Sequence, residues 1–396
     1  MSSDQIGQTS VIDGAALQGL LDALAAQGYT VIAPVARDGA IGLEPISGIG
    51  DLPRGWTDVQ APGRYRLERD HCDPGTYFGT TVGPQSWKRF LHPPRQVLWT
   101  ARRQDDGDFV VSSPGAAGTT DRHGDTESSR QAFLGVRACE LHAIAIQDRV
   151  FEDGPFPDVG YAARRATTFL IAVQCGQAAE TCFCAAMKTG PAIASGFDLL
   201  LTEFPARSEF LAEAGSARGA ALLAKVARRP ATEDDHATAR AAVARAAAMQ
   251  TRTIDTTRIR ERLQDQPQHP QWESVGDRCL TCGNCTMVCP TCFCTAVSDG
   301  SDLSGETAWR VREWDSCFTL SFSHLHGGSV RRTNAARYRQ WMTHKLANWV
   351  DQFGTGGCVG CGRCITWCPV GIDITEEAAA IANAPAAARE AHHEGA

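Results

Sequence analysis

The sequence has no surplus of positive charge: Lys and Arg number 38 against 45 Asp and Glu, a formal charge of −7 over 396 residues. That balance argues against a general nucleic-acid or anionic-membrane surface. No apolar run approaches the ~20 residues that span a bilayer. The opening MSSDQIGQTSVIDG has neither the basic n-region nor the apolar core of a secretory leader. A soluble, cytoplasmic protein is the expectation. No basic helix-turn-helix-like stretch is visible, which leaves a nucleic-acid-bound redox sensor without its usual module. No G-x-G-x-x-G follows a strand pattern, so the dinucleotide fingerprint is missing too.

What the chain has in excess is cysteine, 16 in all. Eight fall in two runs, Cys279, Cys282, Cys285, Cys289 and Cys358, Cys361, Cys364, Cys368, closed by Pro290 and Pro369 and displaced by a constant 79 residues. The spacing C-x2-C-x2-C-x3-C-P is the bacterial ferredoxin pattern for two 4Fe-4S clusters, in which the fourth cysteine of each run serves the other cluster. The expected ligand sets are therefore Cys279, Cys282, Cys285 with Cys368, and Cys358, Cys361, Cys364 with Cys289. Gly283 and Gly362 follow the second cysteine of each run, where the backbone would pass close to inorganic sulfide. A zinc ribbon would need two C-x2-C knuckles far apart, a poorer description of these runs. In a long chain without a leader, such cysteines read as thiolate ligands rather than disulfides.

The remainder divides into an α/β part, residues 1–250, and a dicluster part, residues 251–396. Asp13 is placed to cap a helix whose leucines at 17, 20, 21 and 24 form one stripe before Gly28. TVIAPV, GRYRLERD and RQVLWTAR read as strands. HCDPGTYFG reads as a loop carrying His71 and Cys72, a pair more often structural than catalytic. Residues 104–130 are polar and read as a surface loop. AFLGVR, TTFLIAVQ and FDLLLTEF are apolar strands of a mainly parallel sheet, with a helix through ACELHAIAIQDRVF. Ligands collect beyond the carboxyl ends of such strands, and Cys139 and Cys175 fall there. With Cys182 and Cys184 of ETCFCAAMKTGP they would make a third four-cysteine site, a third 4Fe-4S cluster. The alternative is that Cys139 and Cys175 are small buried side chains. Residues 205–250, rich in Ala and Arg, read as two helices separated by Pro230.

The dicluster part reads as α-helical, with a helical insertion, 295–354, between the two runs. It follows PTCFC and carries Cys317, His324 and His326. Met342, Leu346, Trp349, Val350 and Phe353 recur at helical spacing, as a core or interface stripe. Cys292, Cys294 and Cys317 would either replace a ligand or lie beside the clusters and tune them.

FLGVRACELHAIAIQDRVF, CFCAAMKTGP, RCLTCGNCTMVCPTCFC, WDSCF and CVGCGRCITWCPVGID together resemble the β subunits of cytoplasmic, NAD(P)-linked NiFe hydrogenases of the sulfhydrogenase type. They are similar also to the electron-transfer subunits of anaerobic sulfite reductases. The resemblance spans roughly residues 60–375 outside 104–130. It implies an electron-transfer role, not catalytic alone, beside the small and large NiFe hydrogenase subunits and an FAD/NAD(P)-binding subunit. No pair of C-x2-C motifs at opposite ends of the chain offers a nickel site. Two further readings stand beside it: relay to a sirohaem subunit, and a flavin-dependent oxidoreductase like the F420-reducing hydrogenase β subunit, with Cys139 to Cys184 lining a flavin pocket.

Overall fold

The computed structural model describes residues 6–69, 73–113 and 130–383. Asp13 accepts a hydrogen bond from the Ala16 amide and starts the helix Gly14–Ala25, whose Leu17, Leu20, Leu21 and Leu24 are buried. The chain turns at Gly28 into the strand Tyr29–Arg37, a member of an eight-stranded sheet. The order across that sheet is Arg229–Pro230, Thr9–Asp13, Glu209–Ala214, Leu199–Phe204, Phe169–Val173, Arg130–Val136, Tyr29–Arg37 and Ala40–Pro45.

The sheet is mixed rather than mainly parallel. Only the four strands at 199–204, 169–173, 130–136 and 29–37 run parallel to their neighbours, and both flanks are antiparallel. Parallel pairing needs a long crossover, supplied between the 130–136 and 169–173 strands by the helices Ala138–Phe151 and Val159–Thr167. Ala40–Pro45 and Glu209–Ala214 follow their partners after a tight turn and a single 3-10 turn, which leaves only antiparallel pairing. The 209–214 strand lies in the stretch expected to be helical. Its Phe210, Leu211 and Ala212 are buried, and sheet pairing there outweighs the helical preference of Ala and Glu.

Alternation along Phe169–Val173 serves both faces of the sheet. Phe169, Ile171 and Val173 join the core beneath the 14–25 helix, and Leu170 and Ala172 join the one beneath the 138–151 helix. A third core, around Trp272, Val275, Tyr338, Trp341, Met342, Ile365 and Ile381, packs against Cys279, Cys285, Cys358, Cys364 and Cys368 of the two runs.

The dicluster part is not wholly helical. The insertion opens with the strands Thr295–Ser301 and Thr307–Trp314, which form a four-stranded antiparallel sheet with Arg95–Arg103 and Phe109–Ser112. That sheet crosses the expected boundary at 250, and the 109–112 strand falls inside the expected 104–130 loop. Of that loop, residues 114–129 lie outside the described residues, as do His71 and Cys72. The aromatic stripe lies on the helix Asn334–Thr343, a π-helical segment His344–Asn348 and the helix Trp349–Phe353. Among the described residues no helix is long and apolar enough to cross a membrane.

Candidate metal centres

Each cysteine run folds as a loop, a left-handed glycine and a one-turn helix. Gly283 has φ +77° before Asn284–Met287, and Gly362 has φ +76° before Arg363–Thr366. In both runs a backbone amide two residues on points at the first sulfur, Thr281 N to Cys279 Sγ at 3.4 Å and Gly360 N to Cys358 Sγ at 3.4 Å. Such amide donation favours the thiolate. The two glycines differ in surroundings. A Cβ on Gly362 would lie 2.5 Å from the Thr181 carbonyl oxygen, whereas one on Gly283 meets nothing nearer than Ser316 Oγ at 3.4 Å. Close approach of the 181–184 backbone, joined by a hydrogen bond from Phe183 N to Gly360 O, is what demands glycine at 362.

Cys279, Cys282, Cys285 and Cys368 line one cavity, with Leu280, Phe318, Tyr338, Trp341 and Ile372 around them. Cys364 reaches the same cavity, while Cys289 does not. Burial raises the Cys285 thiol, and the nearby Cys317, Cys279, Cys368 and Cys282 add to it. Cys289 lies near Cys358, Cys361 and Cys364 of the second run instead. Burial, then the Cys358, Cys361 and Cys289 sulfurs, push the Cys364 thiol well above its ordinary range.

Cys139, Cys175, Cys182 and Cys184 line another cavity, which Arg137, Gln250 and Cys361 also border. Cys139 stands in the first turn of the 138–151 helix and Cys175 just beyond the 169–173 strand, so both sit at carboxyl ends of parallel strands. The helix start directs its partial positive charge there, suited to an anionic group. Gln250 Nε2 donates to Cys184 Sγ at 3.3 Å. Arg137 is 6 % exposed, and its guanidinium donates to the carbonyls of Phe78, Thr80 and Gln174.

The three groups of thiols form a row. Cys361 borders the Cys139–Cys184 cavity and neighbours Cys358 and Cys364, and Cys364 borders the Cys279–Cys368 cavity. The joint is clamped by a fully buried ion pair, Arg363 to Glu140 at 2.6 Å. Glu140 also accepts from Trp87 Nε1 at 3.0 Å, and Arg363 donates to Gly83 O at 2.8 Å.

Cys292, Cys294 and Cys317 line neither cavity. A hydrogen bond from Cys292, with the Lys345 ammonium next to it, holds the Cys289 thiol well below its ordinary range. Cys317 neighbours Cys294 and Lys345, and burial pushes its thiol up to about 12. His324 and His326 are exposed. Among the described residues no three His, Cys, Asp or Glu side chains close on one point as a single ion requires, and the thiols stand around cavities instead. Sulfur donors spread round a partly open, largely apolar space suit a multi-iron cluster. Sequence reasoning missed Arg137, Glu140, Lys88, Lys345 and Arg363. The signal for Arg363 was its place inside C-x2-C, and that for Lys345 its place within the aromatic stripe.

Residues 278–372, which hold all eight run cysteines, match the family described as 4Fe-4S dicluster domain. Over 295 residues the chain is 29% identical to sulfhydrogenase 2 subunit beta of Pyrococcus furiosus, a match covering 72% of this chain and 79% of that one. The chain is similar to that sulfhydrogenase β subunit, and its C-terminal part matches a 4Fe-4S dicluster domain, which supports an iron–sulfur electron-transfer role. No solved structure matches it.

Proposed function

We propose that this chain is the electron-relay subunit of a cytoplasmic, multisubunit hydrogenase, passing electrons between a NiFe hydrogenase module and an FAD/NAD(P)-binding subunit. The ligand sets are Cys279, Cys282, Cys285, Cys368; Cys358, Cys361, Cys364, Cys289; and Cys139, Cys175, Cys182, Cys184. The observation that carries the reading is the row of thiol groups, in which Cys361 and Cys364 each border two sites. Four-iron clusters in such sites supply one-electron transfer, and with every iron bound by thiolate they have no open position for a substrate. The chain's own part is to exclude water, to hold the thiolates, and to offset their charge with Arg137, Arg363, Lys345 and the start of the 138–151 helix.

The test is iron and sulfide analysis of anaerobically purified protein, together with identification of the subunits that co-purify. About twelve irons per chain match three four-iron clusters, and about eight would confine the clusters to the dicluster part. Co-purifying flavoprotein and nickel–iron subunits support the hydrogenase assignment. A sirohaem partner would overturn it.

A further inference from the structure

A buried charge is costly unless it is paired. Lys345 is 2 % exposed, and its three acceptors are Cys289 Sγ at 3.3 Å, Thr291 Oγ1 at 3.0 Å and Gly357 O at 3.1 Å. None is a carboxylate. Three acceptors match the three donors of an ammonium, which has no lone pair to offer. The Thr291 hydroxyl gives its own proton to Gly357 O at 2.6 Å, so its oxygen is free to accept from Lys345. Cys289 is thus the one acceptor here that can carry the balancing negative charge.

The local structure is built for this contact. Lys345 lies in the π-helical segment His344–Asn348 between two α-helices, and a π bulge adds a residue that changes which side chains face inward. Behind Cys292, which bonds Cys289, stands a second buried ammonium. Lys88, 5 % exposed, donates to Cys292 O at 3.0 Å and lies 3.8 Å above the Trp314 ring. By contrast, no Lys or Arg lines the Cys279–Cys368 cavity.

Resting on the reading above, in which Cys289 serves the middle of three clusters, we propose that Lys345 is the positioning residue that sets the middle cluster's reduction potential. Its fixed charge and its N–H on the Cys289 sulfur raise that potential. Reduction adds one electron, received from a neighbouring centre, and no bond forms or breaks. A cation beside the sulfur favours the more negative, reduced state, so cluster charge and sulfur hydrogen bonding both act in one direction.

The test is a potentiometric titration of the full-length protein, followed by electron paramagnetic resonance, on wild type, Lys345→Met and Lys345→Arg. The middle cluster's signal is identified as the one that Cys289→Ser perturbs. At the potential where the wild-type cluster is half reduced, Lys345→Met is expected to lower its reduced-to-oxidised ratio at least tenfold, 59 mV for a one-electron couple. Lys345→Arg keeps the charge and is expected to stay within about threefold, under half of that 59 mV. An unchanged ratio in Lys345→Met at full iron content overturns the proposal and leaves the relay reading intact. Should Lys345→Met lose about four irons, Lys345→Gln, which keeps a donor without the charge, carries the same measurement. Iron loss in both makes Lys345 a structural support and overturns the proposal. Wild-type protein without a four-iron signal would sink the relay reading itself.

Discussion

His92 shows how the surroundings of one side chain shape the charge pattern near the cysteines. It is 1 % exposed, packed between the Phe151 and Trp314 rings, and neither ring nitrogen has a hydrogen-bond partner among the described residues. Burial, then the Arg312 and Lys88 cations, lower its pKa from the ordinary 6.5 to about 3. Folded His92 is therefore neutral, whereas in the unfolded chain it takes up a proton near its ordinary value. The unfolded state binds more protons between those two values, so stability falls as pH drops through that window. The slope is up to about 1.4 kcal/mol per pH unit. Anaerobic guanidinium unfolding at pH 7 and pH 5.5 checks it, with His92→Leu expected to lose roughly 1 kcal/mol less than wild type on going to the lower pH.

At the scale of elements, what the sequence showed was what is encoded locally. The two runs were legible because ligand spacing is fixed over eleven residues, and Asp13 because a cap acts three residues ahead. Apolar strands such as Phe169–Val173 were legible from composition. The antiparallel flanks, the sheet shared by 95–112 and 295–314, and the inward turn of Lys345 depend on partners distant in sequence, and no local pattern announces them. The two left-handed glycines illustrate the difference. Both follow the second cysteine of a run, yet only Gly362 lies against a distant backbone. Gly283→Ala is expected to cost about 1–2 kcal/mol, the ordinary penalty for a left-handed non-glycine residue. Gly362→Ala carries the same penalty plus displacement of the second run from the Thr181 segment, and is expected to cost roughly 3 kcal/mol or more. Paired denaturation curves of the two variants measure the difference, and equal losses would mean that the 181 contact yields freely.

For the whole molecule, the row of thiols joins two parts that the sequence presents as separate. The Cys139–Cys184 cavity is built mainly by the α/β part, but Cys361 closes one side of it and the Glu140–Arg363 pair fastens that side. Two arrangements are physically distinct. If this site holds its own cluster on its own four thiols, removing two of them should empty it alone, since the eight run cysteines lie on their own loops and one-turn helices. If instead its thiols merely wall the neighbouring centre, their loss should disturb that centre through Cys361. Replacing Cys182 and Cys184 together by serine is accordingly expected to take iron from about twelve to about eight per chain, four irons being one cluster. The electron paramagnetic resonance signals of the dicluster part should remain unchanged. Iron analysis with spectra on the same anaerobic sample decides it: unaltered iron with a shifted signal from the Cys358–Cys364 centre would favour the wall, and unaltered iron with unaltered spectra would leave the third site without a cluster.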